Sequence, residues 1–220
     1  MTRVYVVVEG PAEESFIKNT LAPVLWSNQV YLTPIIIGAP GHKGGNVTYA
    51  RVKKDVLALL KQDSTSFCSM MVDFYGLGPG FPGTPAAVSA PNIAKVTSIE
   101  QAVKADIVAT IPDRYPNARF LPYLQLHEFE ALLFSNPNDF ASSIGKPQLR
   151  NQFQAIRAQF PTPEDINDDP NTAPSKRVIG AHPGYRKVVE GTLAANAIGI
   201  SRMRAECPHF DQWVQALESL

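Results

Sequence analysis

The sequence predicts an α/β protein with a mostly parallel central sheet flanked by helices and a helical C-terminal extension. Three observations lead there. Val4-Tyr5-Val6-Val7-Val8 is an unbroken β-favouring run, the pattern of a strand buried on both faces. Strand-like and helix-like segments then alternate through about residue 135. Finally, apolar runs end in an acid followed by glycine, as in Val8-Glu9-Gly10 and Val72-Asp73 with Gly76 close behind. The carboxyl ends of parallel strands are where open α/β sheets bind ligands.

Gly10 and Pro11 end the first strand, and Glu13 to Trp26 reads as a helix on the spacing of Phe16, Ile17, Leu21 and Leu25. Val30 to Ile37 is a second strand, and Pro34 within it suggests an edge position or a bulge. The glycine-rich stretch Gly38 to Val47 has neither the P-loop ending nor the dinucleotide spacing of glycines. It reads as a connection or as a cationic flap carrying His42 and Lys43. A helix follows from about Tyr49 to Lys61, with Val52, Val56, Leu59 and Leu60 apolar. Cys68 to Tyr75 is a third strand and Asn92 to Ile107 a helix. Arg119 to Leu126 is a fourth strand that runs into His127-Glu128-Phe129-Glu130-Ala131-Leu132-Leu133-Phe134. If that strand continues, Glu128 and Glu130 share a face; if a helix begins at His127, His127 and Glu130 share one. The pattern leaves both open.

Beyond residue 145 the character changes. Gln148 to Phe160 reads as a helix, Pro161 to Pro174 as a polar, proline-rich connection, Tyr185 to about Ala197 as a helix, and Met203 or Pro208 to Leu217 as the last helix. Residues 1–145 are therefore expected to form the α/β domain and 146–220 a helical extension packed on it. Trp26 and Trp213 fall in apolar helical patterns and are read as packing residues.

Lys plus Arg and Asp plus Glu both number 20, so a strongly basic nucleic-acid coat is excluded, although a local basic patch is not. No secretory leader and no apolar run of about 20 residues is seen, so a cytoplasmic protein is expected. Cys68 and Cys207 have no metal-type spacing and are expected as free thiols.

Glu9, Asp73, Glu128 and Glu130 all stand at strand ends, and Glu13 is one helical turn past Glu9. A single such acid would be a solvated loop residue; acids at three strand ends meet at one edge of a parallel sheet. Carboxylate-rich sites with open positions suit Mg2+ or Mn2+, which neutralise phosphate charge and position the attacking oxygen. Glu9 could instead serve as a general acid or base. His127 reads either as a hydrogen-bonded internal histidine or as a group of the site.

Val8-Glu9-Gly10-Pro11-Ala12-Glu13 with Val72-Asp73-Phe74-Tyr75-Gly76 resembles the two signature motifs of TOPRIM domains. More closely, the chain resembles the bacterial domain-of-unknown-function 4276 family, on four stretches. These are Glu9-Gly10 with Glu13, Asp73 to Leu77 with Phe81-Pro82-Gly83, His127 to Phe134, and Pro174-Ser175-Lys176-Arg177. The resemblance implies a Rossmann-like TOPRIM sheet and a Mg2+-dependent site acting on nucleic-acid phosphodiesters. An ATPase partner in phage defence follows from the overcoming-lysogenization-defect nucleases that share the domain type. It further implies Glu9 as acid/base or metal ligand, Glu13 and Asp73 as metal ligands, and Lys176 as the cation that stabilises charge on phosphate. Ser175, Arg177, Lys43 and His127 would contact substrate, with Arg51 and Lys54 near the backbone. Many TOPRIM domains carry Asp-x-Asp at the second motif, and here Tyr75 stands at its second position. A third carboxylate must then come from Glu128 or Glu130, or the site takes one metal, or the chain is a non-catalytic binding scaffold. A small-molecule phosphohydrolase would use the same acids.

Overall fold

The computed structural model describes residues 1–38, 44–45, 47–75, 77, 80–84, 92–111, 119–166 and 171–220. Four parallel strands form one sheet. β1 (Thr2–Val8) lies between β2 (Val30–Ile36) and β3 (Phe67–Asp73), and β4 (Phe120–Gln125) follows β3. Val8 is in register with Ile36 and Met71, and Asp73 with Gln125, so the carboxyl ends of all four strands share one edge. β2 is an outer strand, the position where Pro34 costs no ladder hydrogen bond on its free side.

Both faces of the sheet are covered, which is why Val4 to Val8 of β1 reads as an unbroken β-favouring run. Val7 packs with Val52, Val56 and Leu60 of α3 (Tyr49–Gln62) and with Val96, Ile99 and Val103 of α4 (Asn92–Thr110). Val4, Val6 and Val8 face the other way, onto Phe16 of α1 (Pro11–Phe16). The same core takes in the helices that follow β4: α5 (Glu130–Leu133), α6 (Pro137–Ser143), α7 (Arg150–Arg157), α8 (Pro174–Ala181), α9 (Lys187–Ile198), α10 (Ile200–Glu206) and α11 (Pro208–Glu218). Phe129, Phe140, Phe153 and Phe210 from this region share that core with β1. The Trp213 ring stacks on Tyr123 of β4 at 4.3 Å, and its indole N–H donates to Ser69 Oγ at 3.0 Å. Among the described residues no helix is long and apolar enough to cross a membrane.

The first helix departs from its expected single run. α1 opens with Pro11 at a position where a missing N–H costs nothing. It then widens into a π-helical turn, Ile17–Leu21, where the Ala22 N–H reaches back five residues to the Ile17 carbonyl. Pro23 has no N–H to complete the ordinary ladder, which accounts for the widening. A short α-turn (Ala22–Leu25) and a 3-10 turn (Trp26–Asn28) lead into β2. That exit turns Trp26 outward, so it is 55% exposed and not a packing residue. Cys68 and Cys207 are buried free thiols.

Candidate functional site

Three acids from three elements meet at the carboxyl edge of the sheet. Glu13 stands on the first turn of α1. Its Oε2 accepts the Gly10 N–H at 3.1 Å, which ties the helix start to the end of β1 and leaves Oε1 facing inward. Asp73 is the last residue of β3, and its Oδ1 accepts the Phe129 N–H at 3.0 Å. Glu130 begins α5 and is 0% exposed, with no hydrogen bond to either carboxylate oxygen.

The group between them is the Lys187 ammonium. Its Nζ lies 3.1 Å from Glu13 Oε1, 3.4 Å from Glu130 Oε2 and 3.5 Å from Asp73 Oδ2. Any two of these oxygens therefore lie within two such contact lengths of each other. Lys187 is the first residue of α9, and its side chain is 39% exposed while its tip sits among the acids. Glu9, at the end of β1, is half-buried and has no hydrogen-bond partner among the described residues.

The electrostatics follow from burial with incomplete compensation. Burial raises the Glu130 carboxyl to about 7; Lys187 opposes this, and Glu128 and Glu13 add to it. Burial also lifts Asp73 well above the usual carboxylate range, again with Lys187 opposing and Glu13, Glu9 and Glu130 adding. Glu9 is raised by burial and by Glu13. Burial pulls the Lys187 ammonium down, but Asp73, Glu130 and Glu13 together outweigh it and hold it well above the normal lysine value. Three carboxylates around one ammonium leave a formal excess of two negative charges. Such an excess stays buried only if protons or a further cation neutralise it.

The turn that delivers Glu130 resolves the open reading of His127 to Phe134. β4 stops at Gln125, the Tyr75 N–H donates to the His127 carbonyl at 2.8 Å, and His127 takes a left-handed φ of 60°. The strand does not continue and the helix waits until Glu130, so Glu128 and Glu130 are separated by a turn. Glu128 faces α8, where its two oxygens accept the Ser175 N–H at 2.7 Å and the Ser175 hydroxyl at 2.9 Å.

A family model described as Domain of unknown function (DUF4276) matches residues 8–218. The chain belongs to the DUF4276 family. A comparison with curated proteins finds no match. Two structures of the C-terminal region of the Xanthomonas campestris pv. campestris OLD protein, phased with iodine and with mercury, are similar in fold. They show 12% and 13% identity and TM-scores of 0.44 and 0.41, covering 100% and 98% of this chain and 95% and 97% of those chains.

In this DUF4276 chain the structure brings together Glu13, Asp73 and Glu130, with Glu9 and Glu128 within electrostatic reach. The other sequence candidates form no ion pair with this cluster among the described residues. Lys176 is exposed on α8 and forms no ion pair among the described residues. Arg177 donates to the Thr172 carbonyl at 2.6 Å and stacks 5.1 Å over Phe160. Ser175 is the partner of Glu128. His127 is buried, with Nε2 3.4 Å from Asn92 Nδ2. Arg51 donates to the carbonyls of Gly44 and Ile37, and Lys54 is exposed. Lys43 and His42 lie outside the described residues.

Lys187 was not among the sequence candidates. Neither was Tyr185, whose buried hydroxyl has no hydrogen-bond partner and is pushed up by burial and then by Glu130. The one signal for them is the short run Tyr185-Arg186-Lys187 after Gly184, which reads like any solvated helix start.

The donor set is chemically suited to a hard divalent cation, since all of it is carboxylate oxygen and Glu130 is orphaned in the interior. Among the described residues, however, no three such side chains stand in a ready-made ligand arrangement. Contacts of 3.1–3.5 Å to an ammonium are wider than the ~2.0–2.6 Å of Mg2+ or Ca2+ to oxygen, so the acids would have to draw inward.

Proposed function

We propose that this chain is a Mg2+- or Mn2+-dependent hydrolase of nucleic-acid phosphodiesters. The observation that carries this reading is the convergence of Glu13, Asp73 and the fully buried Glu130, whose oxygens accept no hydrogen bond, at the carboxyl edge of a parallel sheet. A structural acid would have its oxygens satisfied; Glu13 and Asp73 each take one backbone N–H, whereas Glu130 takes no hydrogen bond on either oxygen and shares a single ammonium with them. Glu13, Asp73 and Glu130 would hold the metal, which supplies charge neutralisation at phosphate and activation of an attacking oxygen. Glu9, whose carboxyl is raised by burial and by Glu13 and has no hydrogen bond among the described residues, would take or give a proton. Lys187 is the cation nearest the cluster and takes the phosphate-stabilising role first assigned to Lys176. Glu128 acts through Ser175, holding the start of α8 beside the turn. The substrate class comes from the likeness of the Glu9-Gly10 and Asp73 stretches to TOPRIM motifs. An ATPase partner and a role in phage defence follow from the same likeness.

The test is cleavage of single- and double-stranded DNA and RNA with Mg2+ or Mn2+, with and without a candidate ATPase. Metal-dependent cleavage that is lost in Asp73→Ala and Glu130→Gln, and reduced in Glu9→Gln, is the expected result. Mn2+ binding without cleavage of any of these substrates would remove the nuclease reading. A second reading, a non-catalytic binding scaffold, is favoured by Lys187 already sitting among the acids and by Tyr75 in place of a second aspartate. It predicts nucleic-acid or protein binding that is indifferent to metal.

A further inference from the structure

The lysine ammonium stands where a divalent ion would have to stand. It touches one oxygen from each of the three acids that would be ligands, and the acids are spaced for it rather than for a metal. We propose that Lys187 is a built-in counter-cation which a divalent metal displaces, and that the displaced ammonium is thereby released to bind phosphate. This rests on the metal-site reading above.

Three features support the exchange. The first is charge. One ammonium among three carboxylates leaves the cluster at a formal charge of -2, and a divalent ion in its place leaves it at -1. The lysine alone is a partial solution: Glu130 Oε1 stays buried and without a partner even with Lys187 in place.

The second is distance. Drawing three oxygens to metal-ligand length leaves no room for an ammonium in the same centre, and cation would face cation there.

The third is freedom to leave. Lys187 enters from the first residue of α9, and its side chain is 39% exposed. Its four-carbon stem lets the ammonium swing toward solvent without moving the backbone. Glu13, Asp73 and Glu130 are each held by their own elements and have no such path. Among the described residues every group within ion-pair distance of the ammonium is one of these carboxylates, so a metal that satisfies them removes those contacts. Metal loading and affinity for a phosphate oxygen would then be coupled, with the empty site kept shut by its own lysine.

The first experiment uses the wild-type chain, so no variant has to fold. The protein is reductively methylated with formaldehyde and a borane–amine, with and without Mg2+, and Lys187 and the exposed Lys176 are followed by peptide mass spectrometry. Lys187 is expected to be protected without metal and several-fold more reactive with it, while Lys176 is unchanged. Mn2+ binding is measured in parallel by electron paramagnetic resonance on wild type and Lys187→Met. Removing the competing cation should tighten Mn2+ binding by roughly tenfold or more. If Mn2+ binds to wild type but Lys187 labelling does not move and Lys187→Met binds no more tightly, displacement is overturned and the metal site stands. If neither protein binds Mn2+, the metal-site reading itself falls, and displacement with it.

Discussion

Glu130 and Glu164 are both buried glutamates, 0% and 1% exposed, yet they are in opposite conditions. Glu164 is finished. Its Oε2 accepts the His209 N–H at 2.9 Å and its Oε1 the Phe210 N–H at 2.8 Å, so one carboxylate satisfies two orphan donors at the start of α11. Neither carboxylate oxygen of Glu130 takes a hydrogen bond from another group among the described residues, and the ammonium beside it is shared with two other acids. Burial raises both carboxyls, but backbone donors pull Glu164 back, whereas the opposing influence on Glu130 is mostly Lys187. Burial of an acid is therefore not the mark of a functional site. What distinguishes the candidate site is burial without completed partners.

The comparison makes predictions that separate structural from functional acids. The largest effect should be at Glu164. Glu164→Leu keeps the volume and leaves two buried N–H groups unpaired, so unfolding in urea should show a loss of about 4 kcal/mol, from two hydrogen bonds to a charged group. Mn2+ binding should not change. A loss of metal affinity there would erase the distinction.

Next comes the pH dependence that Glu130 imposes. Its folded value of about 7 lies above the ordinary 4.5, so the protonated form is favoured on folding. Its contribution to stability is present below about pH 4.5 and is lost as pH rises through about 7, worth about 3 kcal/mol at most. Denaturation of the metal-free protein between pH 5 and 8 should show stability falling as pH rises, and Glu130→Gln should flatten that slope. An unaltered slope in the variant would place the burial cost elsewhere. Glu130→Gln should also lose metal-dependent cleavage while folding at least as stably as wild type at pH 8, the reverse of Glu164→Leu.

The smallest effect belongs to Glu128, which is satisfied from α8. Ser175→Ala removes the hydroxyl donor but keeps the backbone one, so stability should fall by about 1 kcal/mol in the same urea assay. Glu128→Gln should retain Mn2+ binding in full, and lost binding would make Glu128 a ligand rather than a positioning residue.

How much of this could be read from sequence depends on what each signal encodes. The sheet was legible because both-face burial leaves long apolar runs, and Pro34 marked the outer strand. Glu9 and Asp73 stood out together: singly each reads as a solvated loop acid, but acids recur at several strand ends, and those ends share one edge of a parallel sheet. The His127 turn was not: its left-handed backbone depends on the Tyr75 N–H reaching the His127 carbonyl, a contact between strands distant in sequence. The break in the first helix hung on Pro23, whose effect on the turn before it was passed over in favour of apolar spacing. α6 was missed although Asn136-Pro137 is a helix start, with Asn136 Oδ1 accepting from the Asn138 and Asp139 N–H groups. Lys187 was out of reach. One lysine at a helix start resembles every other until tertiary structure shows which of them points at acids, and the family resemblance pointed to Lys176.

The place of Lys187 in the chain has a consequence for how the protein is made. Glu13, Asp73 and Glu130 all leave the ribosome before Lys187, the first residue of α9, does. A nascent chain that has finished its sheet holds three acids at one edge with no internal cation to quiet them. Ionic conditions in the cell, divalent ions included, should then decide how early that edge closes, and the last third of the chain arrives as its release from that dependence.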